Sequence, residues 1–226
     1  YWAAEVAPGV KAAPEDDEVD RMEWVTAQRA RKWLTNKDDV APLDELVRLH
    51  SSGSLATRPV IVIRHAKAKP RSSWQRAEGD RPLAATGKRQ ALAVTRLLAS
   101  WQPQRVVTSP WLRCMSTVVP YAKKHGVKVK ERAQLTEATH KRHPKRAAMV
   151  TEQLFETDRP VVLCTHRPVL PTVLRVLGRH MPPALAEQLP DADPYLSPGQ
   201  MIVLHMPRGA QRSPAVAFEV ISPFDD

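Results

Sequence analysis

Two histidines, far apart in the chain, each follow directly on a short run of apolar and mostly β-branched residues. His65 follows PVIVIR, and His166 follows VVLCT. Unbroken apolar runs of this length are typical of strands that are buried on both faces of a sheet. Ligands of α/β sheets bind outside the carboxyl ends of the strands, so we expect both imidazoles to open into a crevice rather than into the core.

Cationic and hydroxyl side chains also lie at the carboxyl ends of the predicted strands. Arg64 directly precedes His65, and the apolar run RVVT is followed by Ser109 and then by Arg113. Ser109-Pro110 also predicts the start of a helix, whose amino end would supply N–H groups and the positive end of its dipole. An arginine fork bonds two phosphate oxygens at once and stays charged. These donors together predict a pocket for a phosphoryl group.

Two histidines beside such a pocket suggest a two-step hydrolysis. A neutral imidazole is a competent nucleophile toward phosphorus, and a phosphohistidine divides one hard step into two easier ones. The leaving oxygen then needs a proton, for which Glu137 in the LTEAT segment is the best candidate and would later activate water. The alternative for Glu137 is an exposed loop carboxylate. Lys67 and Lys69, with Arg71, either extend the pocket toward further phosphates or are solvated loop charges.

The elements that must position these groups repeat as strand, loop and helix from residue 58 onward. This alternation predicts an α/β fold with a three-layer, mostly parallel sheet and helices on both faces. We predict strands at 60–63, 105–108, 127–129, 161–165 and 201–205, with an edge strand at 218–221. We predict helices from an N-cap at Thr86 through Leu98, from Pro110 onward, over 144–155 and over 169–177.

The first 57 residues show a different pattern. Residues 1–6 read as a strand, residues 7–20 as an acidic loop, and Trp24 to Leu34 as a helix with an apolar face, followed by a second helix that ends near Leu49. The stretch SSGS at 51–54 predicts a flexible break. We therefore predict a first unit over 1–50, a linker over 51–57 and a main domain over 58–226.

The formal charge of +10 is divided unevenly between these parts. Residues 1–57 hold 7 Lys/Arg against 11 Asp/Glu, a net of −4, so residues 58–226 hold the other 27 against 13, a net of +14. A positive field attracts phosphorylated substrates or nucleic acid, although excess lysine also simply solvates a surface. No apolar run approaches the roughly 18 residues of a membrane helix. Two cysteines supply neither a disulfide framework nor a four-cysteine zinc site, so we expect a cytoplasmic protein without a membrane partner.

Three motifs of the basic part resemble those of the histidine phosphatase superfamily in its short bacterial, RHG-type form. They are IVIRHAKA, TSPWLRCMST and VVLCTHRP, in the order and approximate spacing of that family. The resemblance implies a phosphoglycerate-mutase-like fold that needs neither metal nor cofactor, with Ala66 where the family usually has glycine. It also implies a role for five residues: His65 becomes phosphorylated, Arg64, Arg113 and His166 hold the phosphoryl oxygens, and Glu137 donates the proton.

The first 50 residues resemble the carboxyl-terminal part of a Nudix hydrolase, through YWAAEV, an acidic loop and EVDRMEWVTAQRARKWL. The Nudix box that binds the metal is not in this sequence, so Mg²⁺ is expected only for a complete Nudix domain. The combination resembles two-domain MutT-type proteins, which implies removal of 8-oxo-dGTP or 8-oxo-dGDP from the nucleotide pool in the service of DNA repair, with dinucleoside polyphosphates as further substrates. An upstream Nudix part would then be a covalent or cleaved partner.

Two other functions fit the same motifs. A phosphoglycerate-mutase-like phosphotransferase would require a phosphohistidine that survives until it is returned to a substrate. A phosphate-binding or nucleic-acid-binding module would bind without catalysis, although nucleic acid is the less expected partner. The motifs themselves do not name a substrate.

Overall fold

The computed structural model of the chain describes residues 3–14, 17–209 and 213–224. Contacts between backbone positions divide the chain into two compact units, residues 1–56 and 57–226. Within the described ranges, no helix combines the length and the apolar character that crossing a membrane requires.

The first unit contains two helices, α1 (Ala27–Trp33) and α2 (Lys37–Ser51). Each begins at a side-chain cap, because Thr26 accepts a hydrogen bond from the amide of Arg29 and Asn36 accepts one from the amide of Asp38. None of the residues described between 3 and 56 is buried.

The strand predicted over residues 1–6 is wrong for residues 3–6, which form no strand, while residues 1 and 2 lie outside the described ranges. A strand needs a neighbour to pair its backbone N–H and C=O groups. All strand pairing among the described residues lies in the second unit. The pattern of residues 3–6 alone therefore does not produce a strand here.

The second unit is built on a six-stranded sheet with the order β3-β2-β4-β1-β5-β6. The strands are β1 (Thr57–Arg64), β2 (Arg105–Thr108), β3 (Val129–Glu131), β4 (Val161–Thr165), β5 (Met201–Pro207) and β6 (Ala217–Ile221). Strands β1 to β4 are mutually parallel where they pair, whereas β5 runs antiparallel to β1 and β6 antiparallel to β5. The sheet is therefore mixed, with a parallel half that carries the two histidines.

Helices cover both faces of this sheet. They are α3 (Ala85–Trp101), α4 (Leu112–His125), α5 (Glu137–Arg142), α6 (Pro144–Glu152), α7 (Leu170–Arg179) and α8 (Pro183–Ala186). Successive side chains of a strand point to opposite faces. Val60 and Val62 accordingly pack in the core under α6 and α7, while Ile61 and Ile63 pack in the core under α3 and α4. The apolar run of β1 is unbroken because both of its faces are buried.

Several predicted boundaries move, for reasons visible in the structure. Helix α3 begins at Ala85 with Ala84 as its N-cap, so Thr86 is not the cap. The amide of Ala84 donates to the carbonyl of Lys67, which fixes the chain two residues before Thr86. Gly87 lies against the same carbonyl, and a Cβ at this position would approach the carbonyl oxygen to 1.9 Å.

Helix α4 begins at Leu112 rather than at Pro110, with Trp111 as its N-cap. The hydroxyl of Ser109 lies 2.8 Å from Nε2 of His166 and also accepts a hydrogen bond from the amide of Trp111 at 3.4 Å, so this serine connects β4 to the residue before the helix. Strand β3 begins at Val129 rather than 127, because the amide of Val127 still closes α4 through the carbonyl of Ala122. Helix α6 ends at Glu152 rather than Phe155, and α7 extends to Arg179.

Candidate active site

The carboxyl ends of β1, β2 and β4 meet at one edge of the sheet, since β4 lies between the other two. His65, Ser109 and His166 each follow the last residue of one of these strands. The amide of His65 donates to the carbonyl of Thr165 at 3.0 Å, which joins the ends of β1 and β4. As a result the two imidazole rings lie with their centroids 5.2 Å apart.

The His65 ring is oriented by hydrogen bonds at both nitrogens. Its Nδ1 lies 2.8 Å from the carbonyl oxygen of Ala66, which can only accept, so Nδ1 carries the proton. Its Nε2 accepts a hydrogen bond from Nε of Arg113 at 3.2 Å. Burial lowers the pKa of His65 to about 3 against the opposing bond to Ala66, and the charge of Arg113 acts in the same direction as burial. His65 is therefore neutral, with the lone pair on Nε2.

Arg113 is fully buried, and all three of its guanidinium nitrogens are engaged. Besides Nε on His65, Nη2 donates to Oε1 of Glu137 at 2.8 Å and Nη1 donates to the carbonyl of Glu78 at 2.9 Å. The guanidinium also lies 4.5 Å from the ring centroid of Trp111. Burial lowers the pKa of Arg113, while Glu137 raises it. The Arg113 guanidinium is therefore held in a fixed position from which it can bind an anion.

His166 is also fully buried. Its Nε2 lies 2.8 Å from Oγ of Ser109 and 3.5 Å from Sγ of Cys114, and its Nδ1 lies 3.6 Å from Oε1 of Glu137. Burial lowers the pKa of His166 well below its usual value, and the charges of His65 and Arg113 act in the same direction. The second histidine is therefore neutral as well.

Glu137 is the first residue of α5, and its side chain is 16 % exposed. While Oε1 accepts from Arg113, Oε2 accepts from Nη2 of Arg71 at 2.5 Å. The carboxylate thus joins the buried arginine to one on the loop after β1. The structure brings Glu137 into the group formed by His65 and His166, as the sequence led us to expect.

His65, Glu137 and His166 each offer one ligand atom, and these atoms lie within 4.8 Å of one another. Such a set has the donors to hold a metal ion. Arg113, however, contacts two of the three residues, and its positive charge disfavours a second cation at the same place. The electrostatics of the site suit an anion better.

A pocket of about 740 Å³ opens at this edge of the sheet. It is lined by Arg64, His65, Lys67, Ala68, Arg71, Arg81, Glu137, Arg167, Pro168, Pro171, Asp193, Tyr195 and Pro198. Lys69 is not among these lining residues. Its amide donates to the carbonyl of Pro82 and its own carbonyl accepts from Arg81, so the backbone of Lys69 supports the loop instead.

Arg64 lies at the end of β1, next to His65. Its Nη1 donates to the carbonyl of Leu196 at 2.6 Å, while its Nε is buried and has no hydrogen-bond partner among the residues that the structure describes. Burial lowers the pKa of Arg64, and the charge of Arg167 adds to this effect. A buried N–H donor beside the pocket is consistent with binding an anion there.

Sequence reasoning missed Glu78, which connects three arginines of the site. Its carboxylate lies 2.7 Å from Arg81, 3.2 Å from Arg113 and 3.3 Å from Arg71. Burial raises the pKa of Glu78, but the hydrogen bond from Arg81 and the charge of Arg113 outweigh it, so the pKa is lowered overall. The only signal in the sequence was the spacing of Glu78 and Arg81, which is too common to single out a site.

The sequence also gave no role to Arg167, Asp193 and Tyr195, which line the pocket. Arg167 forms a two-point ion pair with Asp193, with its Nε 2.6 Å from Oδ1. The position of Arg167 directly after His166 could have indicated a place at the sheet edge. Asp193 and Tyr195 lie in an irregular segment whose path no local pattern predicts.

Comparison with known proteins identifies a family model and a curated relative that resemble this chain. Residues 60–153 match the family model "Histidine phosphatase superfamily (branch 1)". The chain is 28% identical over 174 residues to the 8-oxo-(d)GTP phosphatase of Mycolicibacterium smegmatis, a match that covers 77% of this chain and 52% of the relative. The chain thus spans about half the length of this curated relative.

Solved structures share the fold. SixA from Nakamurella multipartitia is 24% identical, with a TM-score of 0.53, over 75% of this chain and 98% of that chain. The mycobacterial glucosyl-3-phosphoglycerate phosphatase is 18% identical, with a TM-score of 0.50, over 74% of this chain and 98% of that chain. The protein histidine phosphatase SixA in complex with tungstate is 17% identical, with a TM-score of 0.50, over 73% of this chain and 97% of that chain.

Proposed function

We propose that this hydrolase, whose residues 60–153 match the histidine phosphatase superfamily (branch 1) model, acts on phosphorylated nucleotides through a phosphohistidine formed on His65. The observation that carries this proposal is the state of the His65 ring. Its Nδ1–H donates a hydrogen bond to the carbonyl of Ala66, and the pKa of the ring is lowered to about 3. Nε2 therefore keeps its lone pair at neutral pH.

In the proposed first step, the lone pair on Nε2 of His65 attacks phosphorus, and the bond from phosphorus to the leaving oxygen breaks. Glu137, which takes up a proton from solvent when the phosphoryl oxygens displace its carboxylate from Arg113, gives that proton to the leaving oxygen. The phosphoryl oxygens replace Nε2 and the carboxylate as acceptors of the Arg113 N–H groups, and Arg64 and His166 bind the same oxygens. This exchange releases both His65 and Glu137 for chemistry.

In the second step, the Glu137 carboxylate takes a proton from water as the water oxygen attacks phosphorus. The N–P bond breaks, its electron pair returns to Nε2 of His65, and inorganic phosphate leaves. Both residues then regain their starting protonation states. No metal or cofactor takes part in either step of this proposal.

The test is the chemistry of His65→Ala. We expect this variant to lose phosphate release and the acid-labile label that a ³²P-labelled substrate leaves on the wild-type chain. His143→Ala, which changes an exposed histidine, serves as the matched control and should keep both. A fully active His65→Ala variant would exclude this mechanism and favour binding without catalysis. Transfer of the label to an added acceptor, in place of phosphate release, would favour the phosphoglycerate-mutase-like alternative.

We propose 8-oxo-dGTP or 8-oxo-dGDP as the substrate, with dinucleoside polyphosphates as further candidates and nucleotide-pool sanitation as the role. Support comes from the name of the M. smegmatis relative, from the net charge of +14 over residues 58–226 and from the size of the pocket. A phosphate-release panel of oxidised and normal nucleoside mono-, di- and triphosphates tests this choice. Equal rates with all bases would exclude a sanitation role while leaving the phosphatase in place.

Residues 1–50 are proposed to be the carboxyl-terminal part of a Nudix-like domain whose upstream part is a covalent or cleaved partner. The resemblance of EVDRMEWVTAQRARKWL supports this, as does the greater length of the relative. Because the Mg²⁺-binding box is not in this sequence, the chain should not produce 8-oxo-dGMP and pyrophosphate from 8-oxo-dGTP when Mg²⁺ is added. Release of pyrophosphate under those conditions would contradict the assignment of residues 1–50.

A further inference from the structure

The residues that line the 740 Å³ pocket fall into two groups of different chemistry. One group is charged and lies near the nucleophile. The other is largely apolar and comes from the segments after β4 and before β5, namely Pro168, Pro171, Tyr195 and Pro198. We call these four residues the Tyr195 wall. The proposed phosphoryl chemistry uses none of them.

Tyr195 holds an unusual backbone conformation at this place. Its φ is +62°, in the left-handed region that glycine or asparagine adopts far more readily than tyrosine. Its amide donates to the carbonyl of Ala192, and the amide of Leu196 donates to the carbonyl of Pro194, so a tight turn imposes this conformation. A bulky aromatic residue at such a position indicates a functional role for its side chain, because backbone strain of this kind is concentrated at ligand sites.

The tyrosine is half-buried and has an apolar support beneath it. It packs against the core under α6 and α7, and it also lines a second cavity of about 380 Å³ that includes Leu174 and Leu189. Its hydroxyl makes no hydrogen bond to any described residue. The ring is therefore fixed by packing and presents its remaining surface to the pocket.

The chemistry of the Tyr195 wall suits a flat ring better than a sugar. Three prolines and an aromatic ring offer broad apolar surface and few hydrogen-bonding groups, whereas a sugar needs partners for many hydroxyls. Arg167 and Asp193 also line the pocket and supply a donor and an acceptor for the polar edge of such a ring. A volume of 740 Å³ lies within the usual range of small-molecule sites.

We propose that the Tyr195 wall binds the nucleobase of the substrate by stacking, with Tyr195 as the residue that discriminates nucleotides from phosphate esters that lack a flat ring. This inference rests on the proposed function, because it assumes that the same pocket holds the phosphoryl group. It adds a specificity site that the catalytic residues do not supply.

The test compares Tyr195→Leu with Tyr195→Phe on two kinds of ligand. Loss of a stacking partner should raise KM for a nucleoside diphosphate by about 5- to 100-fold in Tyr195→Leu, with kcat changed less than about twofold. Tyr195→Phe keeps the ring and should stay within about twofold of wild type. The inhibition constant of tungstate, an oxyanion without a ring, should be unchanged in both variants.

Equal rises for the nucleotide and for tungstate would mean that Tyr195 only supports the shape of the pocket, and no rise for the nucleotide would mean that the base lies elsewhere. Either result overturns the proposal. If Tyr195→Leu does not fold, Tyr195→Asn replaces it, because asparagine tolerates a positive φ and also removes the ring.

A binding measurement separates this proposal from the proposed function. Calorimetry with a nucleoside monophosphate, using His65→Ala and the double variant His65→Ala/Tyr195→Leu, does not depend on turnover. Weaker binding only in the double variant supports the Tyr195 wall even if the phosphohistidine mechanism fails. Equal binding in both excludes it even if that mechanism holds.

Discussion

The buried part of the site and the exposed arginines that line the pocket are held in place by different means. His65, His166 and Arg113 are between 0 and 8 % exposed and are fixed by packing, by backbone carbonyls and by each other. The side chains of Arg71 and Arg167 are 64 % and 51 % exposed and are held by carboxylates at the surface. Buried hydrogen-bonded charges are costly to disturb, whereas exposed ion pairs contribute about 0–1 kcal/mol.

This difference indicates a division of labour. The groups proposed to act on phosphorus are in place before a substrate arrives, so little free energy is spent on ordering them. The arginines at the mouth can change partners at low cost and adapt to different leaving groups. Substitutions of the same kind at the buried residues and at the exposed arginines test this difference.

The largest effect is expected for Arg113→Gln. It should lower kcat/KM by more than about 10⁴-fold, because losing one oxyanion donor costs about 10² to 10³ and this side chain offers several. It should also lower the free energy of unfolding by about 3–5 kcal/mol, since a buried pair is broken. Arg167→Gln, the control at the mouth, should change unfolding by less than about 0.5 kcal/mol in urea titrations. Similar losses of stability in both variants would refute the division.

Glu137→Gln comes next. It keeps one of the two hydrogen bonds that the carboxylate accepts from Arg113 and Arg71 but cannot give up a proton, so kcat should fall by about 10²- to 10⁴-fold with a nucleotide. With para-nitrophenyl phosphate, whose leaving group needs no proton, the fall should be much smaller. The same measurement on Asp193→Asn should show little change in kcat with either substrate. An equal loss on both substrates in Glu137→Gln would mean that this residue positions the arginines and does not act as the acid.

Glu78→Gln tests the acid that connects the two parts. With its ion pairs to Arg71, Arg81 and Arg113 lost, KM should rise about fivefold, as expected for the loss of about 1 kcal/mol from partly exposed pairs. Glu156→Gln, which changes an exposed acid away from the pocket, serves as the control. A fall in kcat as large as that of Glu137→Gln would place Glu78 among the groups that act on phosphorus.

The stability of the fold should depend on pH through His65. The pKa of His65 is about 3 when folded and about 6.5 when unfolded, so between these values the unfolded chain binds a proton that the folded chain does not. Stability is therefore complete above pH 6.5 and falls as pH decreases toward 3, by up to about 1.4 kcal/mol per pH unit. Urea titrations from pH 7 to 4 should show a smaller slope for His65→Ala. Equal slopes would mean that His65 is not buried as a neutral ring.

The smallest expected effect is that of a chelator. Arg113 beside the ligand atoms of His65 and Glu137 disfavours a divalent cation, so we expect kcat and KM to remain unchanged after treatment with EDTA. Loss of activity that zinc or manganese restores would instead assign a metal to the group of His65, Glu137 and His166.

The sequence predicted strands β1, β2 and β4 of the parallel half, because these strands are buried on both faces and therefore read as apolar runs. The same logic placed His65 and His166 at a common edge, and strand β4 has the predicted bounds. The resemblance then pointed to Glu137, which its local pattern could not single out. Much of the site can thus be predicted from which residues directly follow the buried strands.

What the sequence did not predict depends on contacts between distant segments. Helix α4 starts two residues later than predicted, and the contact between Ser109 and His166 joins residues too far apart for a local pattern to encode. Glu78 becomes important only when the loop after β1 folds beside Arg113. Residues 3–6 form no strand because Ala3, Ala4 and Glu5 have low strand propensity and none of the described strands pairs with them.

Gly87 restricts which substitutions helix α3 can tolerate. At Gly87 the first turn of α3 packs directly against the carbonyl of Lys67 in the loop after β1. A methyl group at this position would collide with that carbonyl. Any larger residue must lift that loop, and with it Arg71, away from the rest of the pocket. Mutational scanning of α3 should therefore find its strictest position on a residue that never meets the substrate.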